Sequence, residues 1–171
     1  GLRALLALER TMFVASSFSK NFALYDERVG ALSIVGADAH ETATLLSHAK
    51  AVIRSNYSNP PAHGGEIVAT VLADPALRGQ WVDEVGMMRG RINGNRGKFV
   101  AGLEAAGAPG NHEALMRQRG MFSLLPLGEE RVARLRDEYG VYVVGKGRVN
   151  VAGLTADNLG PVCEAIAAVS A

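Results

Sequence analysis

The sequence predicts an α/β fold, and three observations carry that reading. Two short β-type stretches, Thr11 to Ala15 and Val29 to Val35, stand between helical patterns. Trp81, Val85, Met88, Ile92, Phe99 and Leu103 then recur at spacings of three to four residues, or about twice that across Asn95. After the break at Gly107-Ala-Pro-Gly110, strand-like and helix-like segments alternate.

Taken in order, Leu2 to Glu9 reads as the end of a helix. Asp38 is a helix cap, and Glu41 three residues on completes a capping-box-like pair for a helix from Ala39 to about Arg54. Asn59-Pro60-Pro61 stops it, because proline lacks an amide donor and restricts the residue before it. Pro61 is expected as the first residue of the next helix, which runs to about Leu72. Asp74-Pro75 opens a third helix by the same logic, and this one carries the long apolar stripe. Gly86, Gly90, Gly94 and Gly97 interrupt it, each costing roughly 1 kcal/mol against alanine. A bent or closely packed helix is expected. Beyond Gly110 the expected order is a strand near Met121 to Leu125, a helix from about Glu129 to Glu138, and strands near Val141 to Val144 and Arg148 to Val151. A last helix, capped by Thr155, runs to about Val169. The third helix would bridge two lobes, giving residues 1–74, a bridging helix over 75–106, and residues 107–171.

Composition narrows the function classes. Of 171 residues, 48% are hydrophobic and 20% charged, the profile of an ordinary globular protein. Eighteen basic residues against 17 acidic give a net charge of +1, which argues against a nucleic-acid binder. Arg89, Arg91, Arg96 and Lys98 form a basic helix face without interleaved aromatic residues, read as solvated. No apolar run approaches the roughly 20 residues that span a bilayer, so no membrane partner is expected. Charges at both ends of the short N-terminal apolar stretch do not make a signal peptide. One cysteine, Cys163, excludes an internal disulfide, fits a reducing, cytoplasmic setting, and reads as a small core residue. The four histidines have no metal-ligand spacing with one another or with Cys163, so no metal site is expected; His63 is the one nearest a candidate site. The chain begins with Gly inside a helix-like pattern, and is read as a piece of a longer protein.

The chemistry concentrates first in Ser16 to Gly30, Ser-Ser-Phe-Ser-Lys-Asn-Phe-Ala-Leu-Tyr-Asp-Glu-Arg-Val-Gly. Lys20 closes a hydroxyl-rich turn after one β-type stretch, and Arg28 opens the next. If the stretches lie side by side, an amine, a guanidinium and several hydroxyls converge. Such a set suits a cofactor with an aldehyde at one end and a phosphate at the other; pyridoxal phosphate has that shape. Ser17-x-x-Lys20 is also found in penicillin-binding enzymes, but the later Ser-x-Asn and Lys-Thr-Gly elements those require are absent.

The string Ser-x-Ser-Lys-x-Phe-x-Leu-x-x-Glu-Arg-Val-Gly resembles the cofactor-lysine segment of class I aminotransferases, fold type I of the pyridoxal-phosphate enzymes. It looks most like the aspartate and aromatic amino acid group. Three further strings match in the same order: Arg54-Ser-Asn-Tyr-Ser-Asn-Pro-Pro, Gly120-Met-Phe-Ser123 and Lys146-Gly-Arg148-Val-Asn-Val-Ala-Gly153. The resemblance implies the end of the large cofactor-binding domain followed by the small C-terminal αβ domain. It implies that Lys20 is catalytic and bears pyridoxal 5′-phosphate, with Ser17 and Arg28 on the phosphate. Arg148 would pair with the substrate α-carboxylate. Phe122 would wall the pocket, though the larger share of its role is read as core. Arg54 would cross a homodimer interface to a dicarboxylate side chain in the neighbouring subunit. Tyr25 fits the motif and is given no chemistry. The partners implied are amino acids and 2-oxo acids. The alternative is a module of the same fold that binds or regulates and has lost catalysis, which an intact Lys20 disfavours. The glycine/serine phosphate loop and the aspartate for the pyridine nitrogen have no counterpart in these residues. The 171 residues alone are therefore expected not to transaminate efficiently.

Overall fold

The structure is a computed structural model that describes residues 2–8 and 11–171. It divides into two compact units, Gly1–Val82 and Asp83–Ala171.

The first unit begins with a short helix, α1 (Leu2–Leu6). The expected helix extends to Glu9, which lies outside the described residues. Strands β1 (Met12–Ser17) and β2 (Gly30–Val35) pair antiparallel, with Met12 opposite Val35 and Ser17 opposite Gly30. The pair stands as a two-stranded sheet, with Phe13 57% and Leu32 50% exposed. Helix α2 (Ala39–Asn56) starts where the sequence placed its cap. Asp38 Oδ1 accepts from the Glu41 amide at 2.7 Å, while the Glu41 carboxylate accepts from the Ala37 amide rather than from that of Asp38. Helix α3 (His63–Ala73) begins two residues later than expected, with Ala62 and not Pro61 at its head. The start coincides with a long-range contact. Gly64 is buried against Glu27 and Val29, where a Cβ would come within 2.8 Å of the Glu27 Cβ.

Helix α4 (Pro75–Ala105) is unbroken over 31 residues. Asp74 Oδ1 caps it by accepting from the amides of Ala76 and Leu77, leaving Pro75 where no donor is needed. The expectation of close packing at its glycines fails at the four positions named. Among the described residues, nothing beyond the helix's own backbone lies within 4 Å of a Cβ at Gly90 or Gly94, and only side-chain ends graze those at Gly86 and Gly97. The tightly packed glycine is Gly102, whose Cβ would lie 2.7 Å from Cys163 Sγ.

The second unit holds the larger core. Phe99, Leu103, Leu135 and Val151 are fully buried there, joined by Cys163 and Ile166 from helix α7 (Leu159–Ser170). A short helix the sequence did not announce, α5 (Glu113–Arg117), contributes Leu115. Strand β3 (Phe122–Leu124) pairs antiparallel with β4 (Arg148–Asn150), with helix α6 (Gly128–Tyr139) between them in sequence. The expected strand Val141 to Val144 is not formed. Gly140 adopts a left-handed conformation, and the amides of Gly140 and Val141 both fold back onto α6 carbonyls. Only Val144 pairs, as a single bridge to Arg148, and Tyr142 is 82% exposed. Val151 to Gly153 form a 3₁₀ turn rather than the end of a strand. Before α7, Thr155 and Asn158 bond reciprocally, each side chain accepting from the other's amide.

Candidate active site

Five of the six predicted site residues form two groups, one in each unit, and Arg54 lies separately on α2. The first lies on the loop joining β1 to β2. Phe18 donates its amide to the Val29 carbonyl, closing the loop at its base. Ser17 Oγ accepts from the Ser19 amide at 3.2 Å and shares a bond with the Ser19 hydroxyl at 3.0 Å. The turn so formed presents Lys20, whose side chain is exposed. Its ammonium stands 5.5 Å from the centre of the Tyr25 ring. Arg28 donates to the Tyr25 carbonyl at 2.9 Å. Both cations thus meet on Tyr25, the residue to which the sequence assigned no chemistry.

The loop is held under local strain. Ala23 and Arg28 have φ of 56° and 51°, in the left-handed region that side chains with a Cβ disfavour. Asn21 Oδ1 is buried with no hydrogen-bond partner among the described residues. Strained backbone and unmet polar groups persist where surrounding structure fixes them, and they cluster at functional sites. Two neighbours do the fixing. Trp81 of α4 donates its indole N–H to the Asn21 carbonyl and stacks on Phe22, with ring centres 4.7 Å apart. His63 of α3 contacts the Glu27 carboxylate at 2.9 Å, beside the buried Gly64. Trp81 appeared in the sequence only as one residue of an apolar stripe. Its role rests on a partner 60 residues away, which periodicity does not register.

Arg54 lies in the last turn of α2 and donates to the Ser58 hydroxyl at 2.8 Å. Ser58 is itself left-handed, with φ of 68°. The side chain is exposed and makes no ion pair among the described residues.

The second group lies on β3 and β4. Arg148 stands opposite Leu124, and its guanidinium carbon sits 5.0 Å from the centre of the Phe122 ring. Both side chains are at least partly exposed, Phe122 by 39%. The ring is therefore a face for the guanidinium more than a core residue. The turn before Arg148 depends on Gly147, at φ of 132°, where a Cβ would overlap the Leu125 carbonyl oxygen. Leu125 and Gly147 also line an open groove of about 480 Å³, together with Leu124, Pro126, Lys146 and Arg148 among others. Arg96, expected on a solvated face, is instead 2% exposed and bonds Ser123 Oγ, Asn93 Oδ1 and the Gly120 carbonyl. The signal was present in the sequence. Arg96 fills the gap between Ile92 and Phe99 in the apolar stripe, four residues from one and three from the other.

The family model for aminotransferase class I and II matches residues 1–166. The chain belongs to the class I and II aminotransferase family. It is 53% identical over 169 residues to the aspartate aminotransferase of Escherichia coli K12, covering 99% of this chain and 43% of that one. It is 44% identical over 168 residues to the aromatic-amino-acid aminotransferase of the same organism, covering 98% and 42%. Among solved structures, it superposes with a TM-score of 0.90 on the aromatic-amino-acid aminotransferase of Burkholderia pseudomallei, described as covalently bound to pyridoxal phosphate. The two are 52% identical, over 99% of this chain and 43% of that one. The fold is therefore the class I aminotransferase fold, and the chain spans less than half the length of the curated relatives it matches. Within this aminotransferase fold, the first group lies at the β1–β2 loop and the second on the paired strands β3 and β4, and each is held by side chains from helices.

Proposed function

We propose that this chain carries the lysine-bearing and carboxylate-binding part of a pyridoxal-phosphate-dependent aminotransferase, acting on aspartate, aromatic amino acids or both, with 2-oxo acids as acceptors. The observation that supports this best is the shared anchoring of Lys20 and Arg28 on Tyr25. It puts a primary amine and a guanidinium on one strained loop, which starts from Ser17 at the end of β1. That donor set fits pyridoxal phosphate. Lys20 would hold it covalently, and Ser17 and Arg28 would bind its phosphate by charge-assisted hydrogen bonds. When bound, the cofactor supplies an electron-poor ring that stabilises negative charge at the amino acid Cα.

The remaining steps belong to the protein. The Lys20 amine, released by the incoming amino acid, would take up the substrate Cα proton as general base and then, as general acid, deliver it to the C4′ carbon of the cofactor. Arg148 offers a planar fork that grips the α-carboxylate at two points, which a lysine point charge cannot do. Phe122 supports that fork from one face. Arg54 would bind the side-chain carboxylate of a dicarboxylic substrate in the neighbouring subunit of a homodimer. Its bond to the neutral Ser58 hydroxyl is one that a carboxylate can displace. In this reading residues 1–74 belong to the large cofactor-binding domain, 75–106 to a bridging helix and 107–171 to the small domain, in a cytoplasmic enzyme. The 171 residues alone do not transaminate efficiently.

Borohydride reduction of the full-length protein, followed by digestion and mass spectrometry, tests the reading. The cofactor is expected on the peptide carrying Lys20, and its absence from Lys20→Ala. A label on another residue, or none, would overturn it. Robust turnover by the 171 residues alone would overturn the last point separately.

A further inference from the structure

Helix α4 carries one arginine on its buried side. Arg96 is 2% exposed, and among the described residues it makes no ion pair. Its donors go to neutral oxygens: Asn93 Oδ1 at 2.8 Å, Ser123 Oγ at 3.4 Å, and the carbonyl of Gly120. Burying a guanidinium without an opposite charge is unfavourable, and a hydrophobic residue of similar volume often serves stability as well or better. The charge asks for another role.

The two chain positions it grips beyond its own helix are Gly120 and Ser123. They bracket Phe122. Ser123 is itself 1% exposed and pairs with Val149, so its neighbours Phe122 and Leu124 stand across from Asn150 and Arg148. The Phe122 ring then meets the Arg148 guanidinium at 5.0 Å. Asn95, next to Arg96 in the helix, ties down the chain just beyond β4 by donating to the carbonyls of Val151 and Leu154. The β3–β4 pair is thus anchored on α4 from both strands, and the anchor on the Phe122 side is a cation.

We propose that Arg96 is a positioning residue for substrate binding, which holds Phe122 and through it sets the Arg148 fork at the angle a carboxylate requires. This rests on the reading of Arg148 as the α-carboxylate ligand.

The test uses full-length protein with Arg96→Lys, Arg148→Lys and the double variant. The readouts are KM, kcat, the Kd of the non-reacting dicarboxylate succinate by calorimetry, and cofactor content by visible absorbance. Arg96→Lys keeps the charge and loses the fork. It is expected to raise KM and the succinate Kd about tenfold, as for one lost charge-assisted hydrogen bond, with cofactor content unchanged. Added to Arg148→Lys, it should cost little more, because the element it positions is already gone. Fold-losses that multiply in the double variant, or a lower melting temperature with unchanged Kd, would overturn the proposal. Should Arg96→Lys fail to fold, Ser123→Ala removes one of its acceptors and is expected to give the same ordering at smaller size; no change in Kd there would overturn it too. If Arg148→Lys alone leaves the Kd unchanged, the reading of Arg148 fails first.

Discussion

The indole nitrogen of Trp81 donates to the carbonyl oxygen of Asn21 at 2.7 Å, one residue beyond Lys20. The same ring stacks on Phe22, which meets Phe18 edge-on at 5.4 Å between centres. The lysine turn is therefore clamped by one aromatic side chain through a polar and an apolar contact at once.

Trp81→Phe separates those contacts. The stack on Phe22 survives and the N–H bond is lost. Stability is expected to fall by about 1 kcal/mol, read by thermal melting of the full-length protein. Cofactor should dissociate faster as well, because the released carbonyl adjoins Lys20. An unchanged melting temperature and unchanged cofactor retention would show that the bond does not hold the turn.

Ala23→Gly relieves a left-handed residue three positions after Lys20. The left-handed conformation disfavours alanine by roughly 1–2 kcal/mol, against a smaller entropic loss for glycine in the unfolded chain. A net stabilisation of about 0.5–1 kcal/mol is expected in denaturant titration. Destabilisation would mean that the alanine methyl makes contacts outweighing the strain.

Gly102→Ala drives a methyl to within 2.7 Å of Cys163 Sγ. Overpacking of this kind costs about 1–3 kcal/mol. Cys163→Ala should recover most of the loss in the double variant, since it removes the atom in the way. If the two changes simply add, the crowding is relieved elsewhere.

Burial pushes the Cys163 thiol above its ordinary range, with nearby Glu164 adding to the effect. The unfolded thiol ionises first as pH rises, so the thiol's contribution to stability is full below the unfolded pKa. It is lost progressively up to the folded pKa. Wild-type protein should therefore lose stability faster than Cys163→Ala through the mildly alkaline range. Alkylation of Cys163 should be slow at neutral pH until the protein unfolds. Parallel pH slopes, or rapid alkylation of the folded protein, would contradict this.

The legible parts of the fold were those written in local chemistry. Asp38 and Asp74 each cap a helix through their own side chains, and the two β-type stretches lie close enough in sequence to pair. The illegible parts depended on distant partners. The start of α3 coincides with the docking of Gly64 on Glu27, not with the Pro-Pro turn. Val141 was lost to the expected strand because its amide closes α6. At the candidate site the string from Ser16 to Gly30 named Lys20, Ser17 and Arg28. It could not name Trp81 as their clamp. Arg96 was assigned to solvent by its charge, although its spacing from Ile92 and Phe99 put it on the buried line.

The ribbon of β1 and β2 has an outcome for anyone handling these residues by themselves. Among the described residues each strand pairs on one side only, so its outer edge faces no second strand, and Phe13 and Leu32 are exposed beside it. Such borders recruit any extended polypeptide at hand, another copy included. Produced alone at high concentration, the chain belongs in the pellet rather than the supernatant.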